Sequence, residues 1–310
     1  MNAVSVIILT FNEEINLPAA LDSVKGWAEE VFIVDSYSTD RTVDIALSRA
    51  SDKVRVVQHA FENYSAHWNW ALTHLPITSA WTLKLDADER VTEEFRTEVS
   101  RVMDDAQPDV EGIYFRRRFF FAGSPLLRGG FSYNFDLRMW RTGKARFEDR
   151  SVNEHALVKG KTVRIESHVN HSNYKSISDW LDKHNRYSSL EAQSIIKGNI
   201  TGDVRPCLWG NPAERRMFFR LVFRHMPARH LFYFIYRFIF RLGFLDGKGG
   251  FRYSFLHAAY LFWIDMKIDE YKLTDNLPEI IWPMRGQPHP QVAGSALQKL
   301  VDAGQAFGQD

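Results

Sequence analysis

A single cysteine, Cys207, occurs among 310 residues, which rules out an intrachain disulfide and fits a reducing, cytoplasmic setting. No apolar run approaches the ~18–20 residues that a membrane-spanning helix needs. A basic, apolar signal region is missing as well, because the run 4–9 is too short and reads as a strand. Neither sign of charge is in surplus: 39 basic and 38 acidic residues leave a formal net charge of +1, so no nucleic-acid partner is expected. Repeats at solenoid or propeller periods are absent. His168 and His171 lack Cys or His partners at structural-zinc spacing. The length suits one large domain, or a catalytic domain with an appendage.

What is present is an alternation of apolar runs and amphipathic stretches. Strands are expected at residues 4–10, 30–34, 54–58 and 81–85, with helices over 15–24, 41–50 and 64–75. Thr39 or Asp40 is placed to cap the second helix. Continuous apolar strands separated by helices imply a parallel sheet covered on both faces. The polar turns at 10–13, 35–40 and 86–89 then open on one edge of that sheet, where ligands bind in α/β folds. Asp86 and Asp88, one small residue apart, offer acceptor-only oxygens that suit a hard divalent cation, directly or through water. The competing reading is a turn that is merely acidic.

Further strands are expected at 112–118 and 137–140, separated by a loop carrying Gly123-Ser-Pro125 and Gly129-Gly130. A helix follows over 177–196. Beyond Pro206 the composition changes: residues 215–245 hold seven arginines, ten aromatics and no acidic residue. Arg216, Arg220 and Arg224 recur every four residues among Phe, Leu and Val, and Arg237 and Arg241 continue the pattern. Such a helix can lie on an anionic membrane surface, its apolar face in the acyl boundary. Burial in a packed domain or a dimer interface is the alternative. Glycines between Gly243 and Gly250 break the backbone before a last helix over 253–271. The expected division is a sheet domain over 1–165, a helical, basic-aromatic region over 166–285, and a loosely ordered tail over 286–310.

Thr10-Phe-Asn-Glu13, Val34-Asp35-Ser-Tyr-Ser38-Thr-Asp40-Arg-Thr42 and Leu85-Asp86-Ala-Asp88-Glu89 resemble the signature turns of family 2 glycosyltransferases with the GT-A fold. More narrowly, the chain is similar to the bacterial branch acting on lipopolysaccharide core or other surface glycans. Val152-Asn-Glu154-His155 stands where that branch has Val-His-Glu, and the stretches 184–192 and 243–251 are similar to its later motifs. The resemblance implies an α/β GT-A fold: a mostly parallel sheet flanked by helices, followed by a helical, membrane-associating region. It implies inverting transfer of a sugar, a hexose such as glucose, from a nucleotide diphosphate donor (UDP foremost) to a lipid-linked or lipopolysaccharide-type acceptor. The enzyme would sit peripherally on the inner face of the cell membrane.

The resemblance also assigns roles. Thr10, Asn12 and Glu13 line the nucleotide pocket, Asp35 contacts base or ribose, and Ser38 and Asp40 shape their turn or cap the next helix. Asn69 lies near the donor, while Trp68 and Trp70 either pack the helix or stack on substrate. Asp88 contacts Mg²⁺ or Mn²⁺ directly, with Asp86 on the ribose or on metal-bound water. Glu154 is the candidate base that deprotonates the acceptor, with Asp136, Glu148 and Asp149 competing. Asn153 stands at the familiar histidine position, which puts a shared His–Glu role in doubt. Arg138 suits a diphosphate or else solvates a strand edge. His171 and Tyr174 read as structural. A nucleotidyltransferase is a further possibility, although the turn 10–13 lacks that class's glycine-rich, lysine-bearing loop. A degenerate, membrane-bound scaffold is another.

Overall fold

Alternate residues of the first strands face opposite ways, and both faces are apolar, so each strand feeds two cores at once. Val6, Ile8, Ile33 and Leu83 pack with Leu17, Leu21, Val43 and Phe95 on one side. Ile7, Phe32, Val34 and Val57 pack with Trp68, Leu75 and Trp140 on the other. The computed structural model describes residues 3–51, 53–132, 135–148, 155–198, 206–209, 218–219, 221–224 and 226–303. It divides into two compact units, Met1–Phe120 with Ser132–Tyr174 and Met284–Asp310, and Phe121–Phe131 with Lys175–Pro283.

In the first unit, β1 (Val4–Thr10), α1 (Leu17–Val24), β2 (Glu30–Asp35), α2 (Thr42–Ser48), β3 (Val54–Gln58), α3 (Tyr64–His74) and β4 (Trp81–Lys84) alternate as expected. They are followed by β5 (Glu89–Arg90), α4 (Glu93–Asp105), β6 (Val110–Phe121), β8 (Phe135–Arg141), β9 (Arg146–Phe147), β10 (Ala156–Leu157) and β11 (Lys161–Ser172), whereas β7 (Ser124–Leu126) falls in the second unit. The main sheet runs β3-β2-β1-β4-β8-β6-β11-β5. Its first four strands are parallel, so the carboxyl ends of β1, β2 and β4 share an edge. The second half departs from the expected pattern: β8 is antiparallel to both β4 and β6, and β5 to β11. The sheet is therefore mixed. An antiparallel partner needs no helical crossover, and none separates β6 from β8.

The segment expected to be a loose tail is ordered within residues 284–303. It forms the short helices α8 (Pro290–Ala293) and α9 (Ala296–Asp302), numbered after those of the second unit. Val292 and Val301, 1% and 3% exposed, enter the two cores. A Gly- and Pro-rich composition concealed these few anchoring side chains.

The second unit contains α5 (Ile177–Ile196), α6 (Arg229–Ile235) and the 28-residue α7 (Gly247–Thr274). Ser176 and Asp179 close a reciprocal cap at the start of α5. Ala192, Ile195 and Ile264 join α5 to α7, and Lys267 Nζ bonds Asn185 O at 2.7 Å and the Ser188 and Ser189 hydroxyls at 2.8 Å. Between α6 and α7 lie a π-helical turn (Tyr236–Phe240) and a 3-10 turn (Gly243–Asp246), so the last helix begins inside the glycine-rich stretch. Among the described residues, no helix is long and apolar enough to cross a membrane.

Two histidines of this unit sit in aromatic surroundings: His184 stacks on Trp180, and His257 lies against Tyr253. Burial pushes His184 down to about 4 and His257 to about 3. Both are neutral when folded but take up protons below about pH 6.5 when unfolded, so stability falls as pH drops through that value. At pH 5 the loss is about 2 kcal/mol per histidine. Calorimetric melting from pH 7.5 to 5 should show this decline, and His257→Phe should make it shallower.

Candidate functional site

Parallel registration sets Thr10 opposite Asp35 at the ends of β1 and β2. The Asp35 carboxylate is fully buried and accepts four hydrogen bonds: from Thr10 Oγ1 (3.1 Å), Ser38 Oγ, Ser38 N (3.0 Å) and Gln58 Nε2 (2.8 Å). Asp35, expected on base or ribose, thus spends its oxygens organising the turn, and the half-buried Tyr37, Ser38 and Asp40 lie along its rim. Asn12 N donates to Ser38 Oγ (2.9 Å), and Asn12 Oδ1 accepts from Thr39 N (2.8 Å). Asn12 and Tyr37 adopt left-handed backbone, φ 54° and 60°, a conformation asparagine tolerates better than tyrosine. Glu13 N bonds Thr42 Oγ1 (2.7 Å). Asp40 ties the turns, accepting from Glu14 N (3.1 Å) and from Thr42 N (2.9 Å), while the N-cap of α2 is Arg41 rather than the expected Thr39 or Asp40.

The acidic turn is built around Glu89, which is wholly buried. Its Oε2 accepts from Asp86 N (3.0 Å), while Oε1 meets Arg138 Nη1 at 2.5 Å. Arg138 Nη2 reaches Asp86 Oδ2 at 2.8 Å, and Arg117 Nη1 lies 3.8 Å from Glu89. Burial by itself would raise the Asp86 pKa, but Arg138, Lys84 and Arg117 outweigh it and hold the carboxyl far below its ordinary range. Burial likewise opposes the Arg138 charge, and Asp86 and Glu89 overcome it, raising its pKa. Arg138, expected to grip diphosphate or solvate a strand edge, is 3% exposed and engaged by Asp86 and Glu89. Asp86 keeps 38% of its side chain exposed.

Asp88 turns the other way. Pairing of β5 with β11 brings His171 opposite Glu89, and His171 Nδ1 lies 3.3 Å from Asp88 Oδ1. That ring nitrogen is buried, lies 3.9 Å from Glu89 Oε1 as well, and makes no hydrogen bond among the described residues. Ser172 N donates to Asp88 O (2.8 Å), and the adjoining Asn173 and Tyr174 bond Asn16, which also bonds Glu13 (2.8 Å). The first and third turns are thereby tied together.

Asn69 holds both backbone groups of Phe147, at 2.8 and 3.0 Å, so its amide is committed to bracing β9. Trp68 is buried against Phe147 and lies under Lys84, 4.8 Å from its ring centre, which favours packing over substrate stacking. Glu154, with Asp149 and Asn153, lies outside the described residues. Of the competing carboxylates, Asp136 pairs with Arg117 (2.7 Å) and Glu148 with His155 (2.6 Å).

Residues 5–152 match the family model described as Glycosyl transferase family 2. An uncharacterized glycosyltransferase of Rickettsia typhi is 27% identical over 207 residues, 64% of this chain and 69% of its own. A counterpart from Rickettsia bellii is 28% identical over 213 residues, 65% and 71% of the two chains. Among solved structures, S. aureus TarS 1–349 in complex with UDP aligns at 15% identity and a TM-score of 0.43, over 88% of this chain and 92% of that one.

The cation expected on Asp86 and Asp88 fits only part of this geometry. Asp88 and the His171 nitrogen, 3.3 Å apart, form an oxygen–nitrogen pair, whereas Asp86 is paired with Arg138. Among the described residues, no group of three or more His, Cys, Asp or Glu is arranged to hold a metal. Sequence reasoning treated His171 as structural and passed over Glu89 and Gln58. Only the third acidic position of the Asp-Ala-Asp-Glu turn hinted at Glu89.

Leaving a buried carboxylate without its cation is costly. Arg138→Met should lower stability by about 3–5 kcal/mol in urea unfolding, and adding Glu89→Gln should restore a large part of it.

Proposed function

We propose that this protein is a metal-dependent inverting glycosyltransferase, taking a hexose from a UDP-sugar to a lipid-linked or lipopolysaccharide-type acceptor at the inner face of the cell membrane. The observation that carries this reading is the gathering of three polar turns at one sheet edge, with the Asp88–His171 pair beside them. Thr10, Asn12, Glu13, Ser38 and Asp40 form the nucleotide pocket, while Asp35 holds its shape from beneath. Asp88 and His171 would hold Mg²⁺ or Mn²⁺, which neutralises the departing diphosphate. Asp86, oriented by Arg138, faces the donor's ribose with its exposed side. Glu154 takes the proton of the acceptor hydroxyl as that oxygen attacks the anomeric carbon from the face opposite the nucleotide, which inverts the centre.

The second unit supports membrane association on its own surface. Phe232, Ile235, Tyr236, Ile239, Phe240, Leu245 and Phe255 are 44–73% exposed, beside exposed Arg241, Lys248 and Arg252. The expected basic face differs in detail. Arg229 is buried on Asp265 (2.7 Å) and Arg237 turns inward to Gly129 O (2.6 Å), while Arg216 and Arg220 lie outside the described residues. Apolar groups flanked by cations suit an anionic bilayer surface.

Release of UDP from UDP-hexoses with Mn²⁺ and bacterial membranes tests the chemistry. Glu154→Gln should lower turnover by at least about 10²-fold, and near-normal turnover would remove it as the base. Asp88→Asn and His171→Ala should each raise the Mn²⁺ concentration needed for half-maximal rate. Silence across a broad donor panel would favour a scaffold instead. Sedimentation with anionic liposomes should be strong, weaken with salt, and drop for Phe240→Ser.

A further inference from the structure

The most distant contacts of the nucleotide turn come from the end of the chain. Gly286 N donates to Tyr37 O at 2.7 Å, at the residue whose left-handed backbone (φ 60°) sets the turn. A Cβ on Gly286 would stand 2.7 Å from Ser38 O, so only glycine permits this approach. Arg285 adds a bond to Phe61 O. Further on, His289 N donates to Gln58 Oε1 at 2.7 Å. That bond fixes which end of the buried Gln58 carboxamide faces Asp35, so Nε2 donates to the carboxylate at 2.8 Å. Gln298 completes the grip: Oε1 accepts from Gln58 N (2.8 Å) and Nε2 donates to Gln58 O (3.1 Å), as a neighbouring strand would on the open edge of β3.

We propose that residues 284–303 are a positioning strap for the nucleotide turn, with Gly286 holding Tyr37 directly and His289 and Gln298 holding Asp35 through Gln58. The inference rests on the nucleotide-binding reading above for its consequence, though not for its geometry. Gly286 and Gln298 touch no reacting group; they set the shape that a nucleoside diphosphate meets. Disturbing them therefore weakens donor binding while leaving the chemical step alone. A purely structural role would lower melting temperature without separating these quantities.

Gly286→Val and Gln298→Ala separate the possibilities in the full-length protein, the second keeping the test open should the first misfold. Hydrogen exchange of peptides covering residues 35–42, without ligand, should be faster in both variants than in the parent. Unchanged exchange overturns the strap. UDP titrated by calorimetry should bind on the order of tenfold more weakly to the variants, with the donor KM raised and kcat within about twofold. Equal UDP affinity in parent and variants also overturns it. Absence of UDP binding by the parent would sink the nucleotide reading alone, because exchange still decides whether the strap holds the turn.

Discussion

A guanidinium buried between two carboxylates is the constraint on which the site depends. Arg138 links Glu89, which sees no solvent, to Asp86, which is partly open. Desolvating three charges is unfavourable unless each finds its partner at close range, so the turn has little freedom to rearrange. Two consequences follow from that rigidity. Asp86 remains ionised, and Asp88, on the far side of the turn, lies 3.3 Å from His171 Nδ1.

The second organising element is Asp35. Its four hydrogen bonds come from two strands and a turn, and Gln58 carries that network to the edge of the sheet. There the carboxyl-terminal segment closes it. A carboxylate beneath a binding turn needs no ligand contact to matter, since its charge and its acceptors set the direction of every donor around it. The acidic turn and the turn after β1 are joined in turn by Asn16, which bonds both Glu13 and the segment after β11.

Local pattern was a good guide where burial and periodicity agree. The strands through residue 85 and the helix over 177–196 stand within a few residues of expectation, because uninterrupted β-branched runs and a reciprocal Ser176–Asp179 cap are local signals. Pattern was a poor guide for the direction of β8, where parallel and antiparallel neighbours present the same apolar residues. It also failed for residues 284–303, whose docking rests on Val292, Gln298 and Val301 amid residues typical of loops.

For the site, the chain's order of residues determined which polar turns would meet: parallel strands flanked by helices place their carboxyl ends on one edge, so Thr10, Asp35 and Asp86 converge by topology alone. Side-chain roles were decided only in three dimensions. His171 reaches Asp88 because β11 returns antiparallel to β5, Arg138 is engaged by Asp86 and Glu89, and Gln58 is gripped by residues more than two hundred positions away. Spacing along the chain encodes which way a strand end opens; partner, burial and charge compensation depend on what the rest of the chain brings beside it.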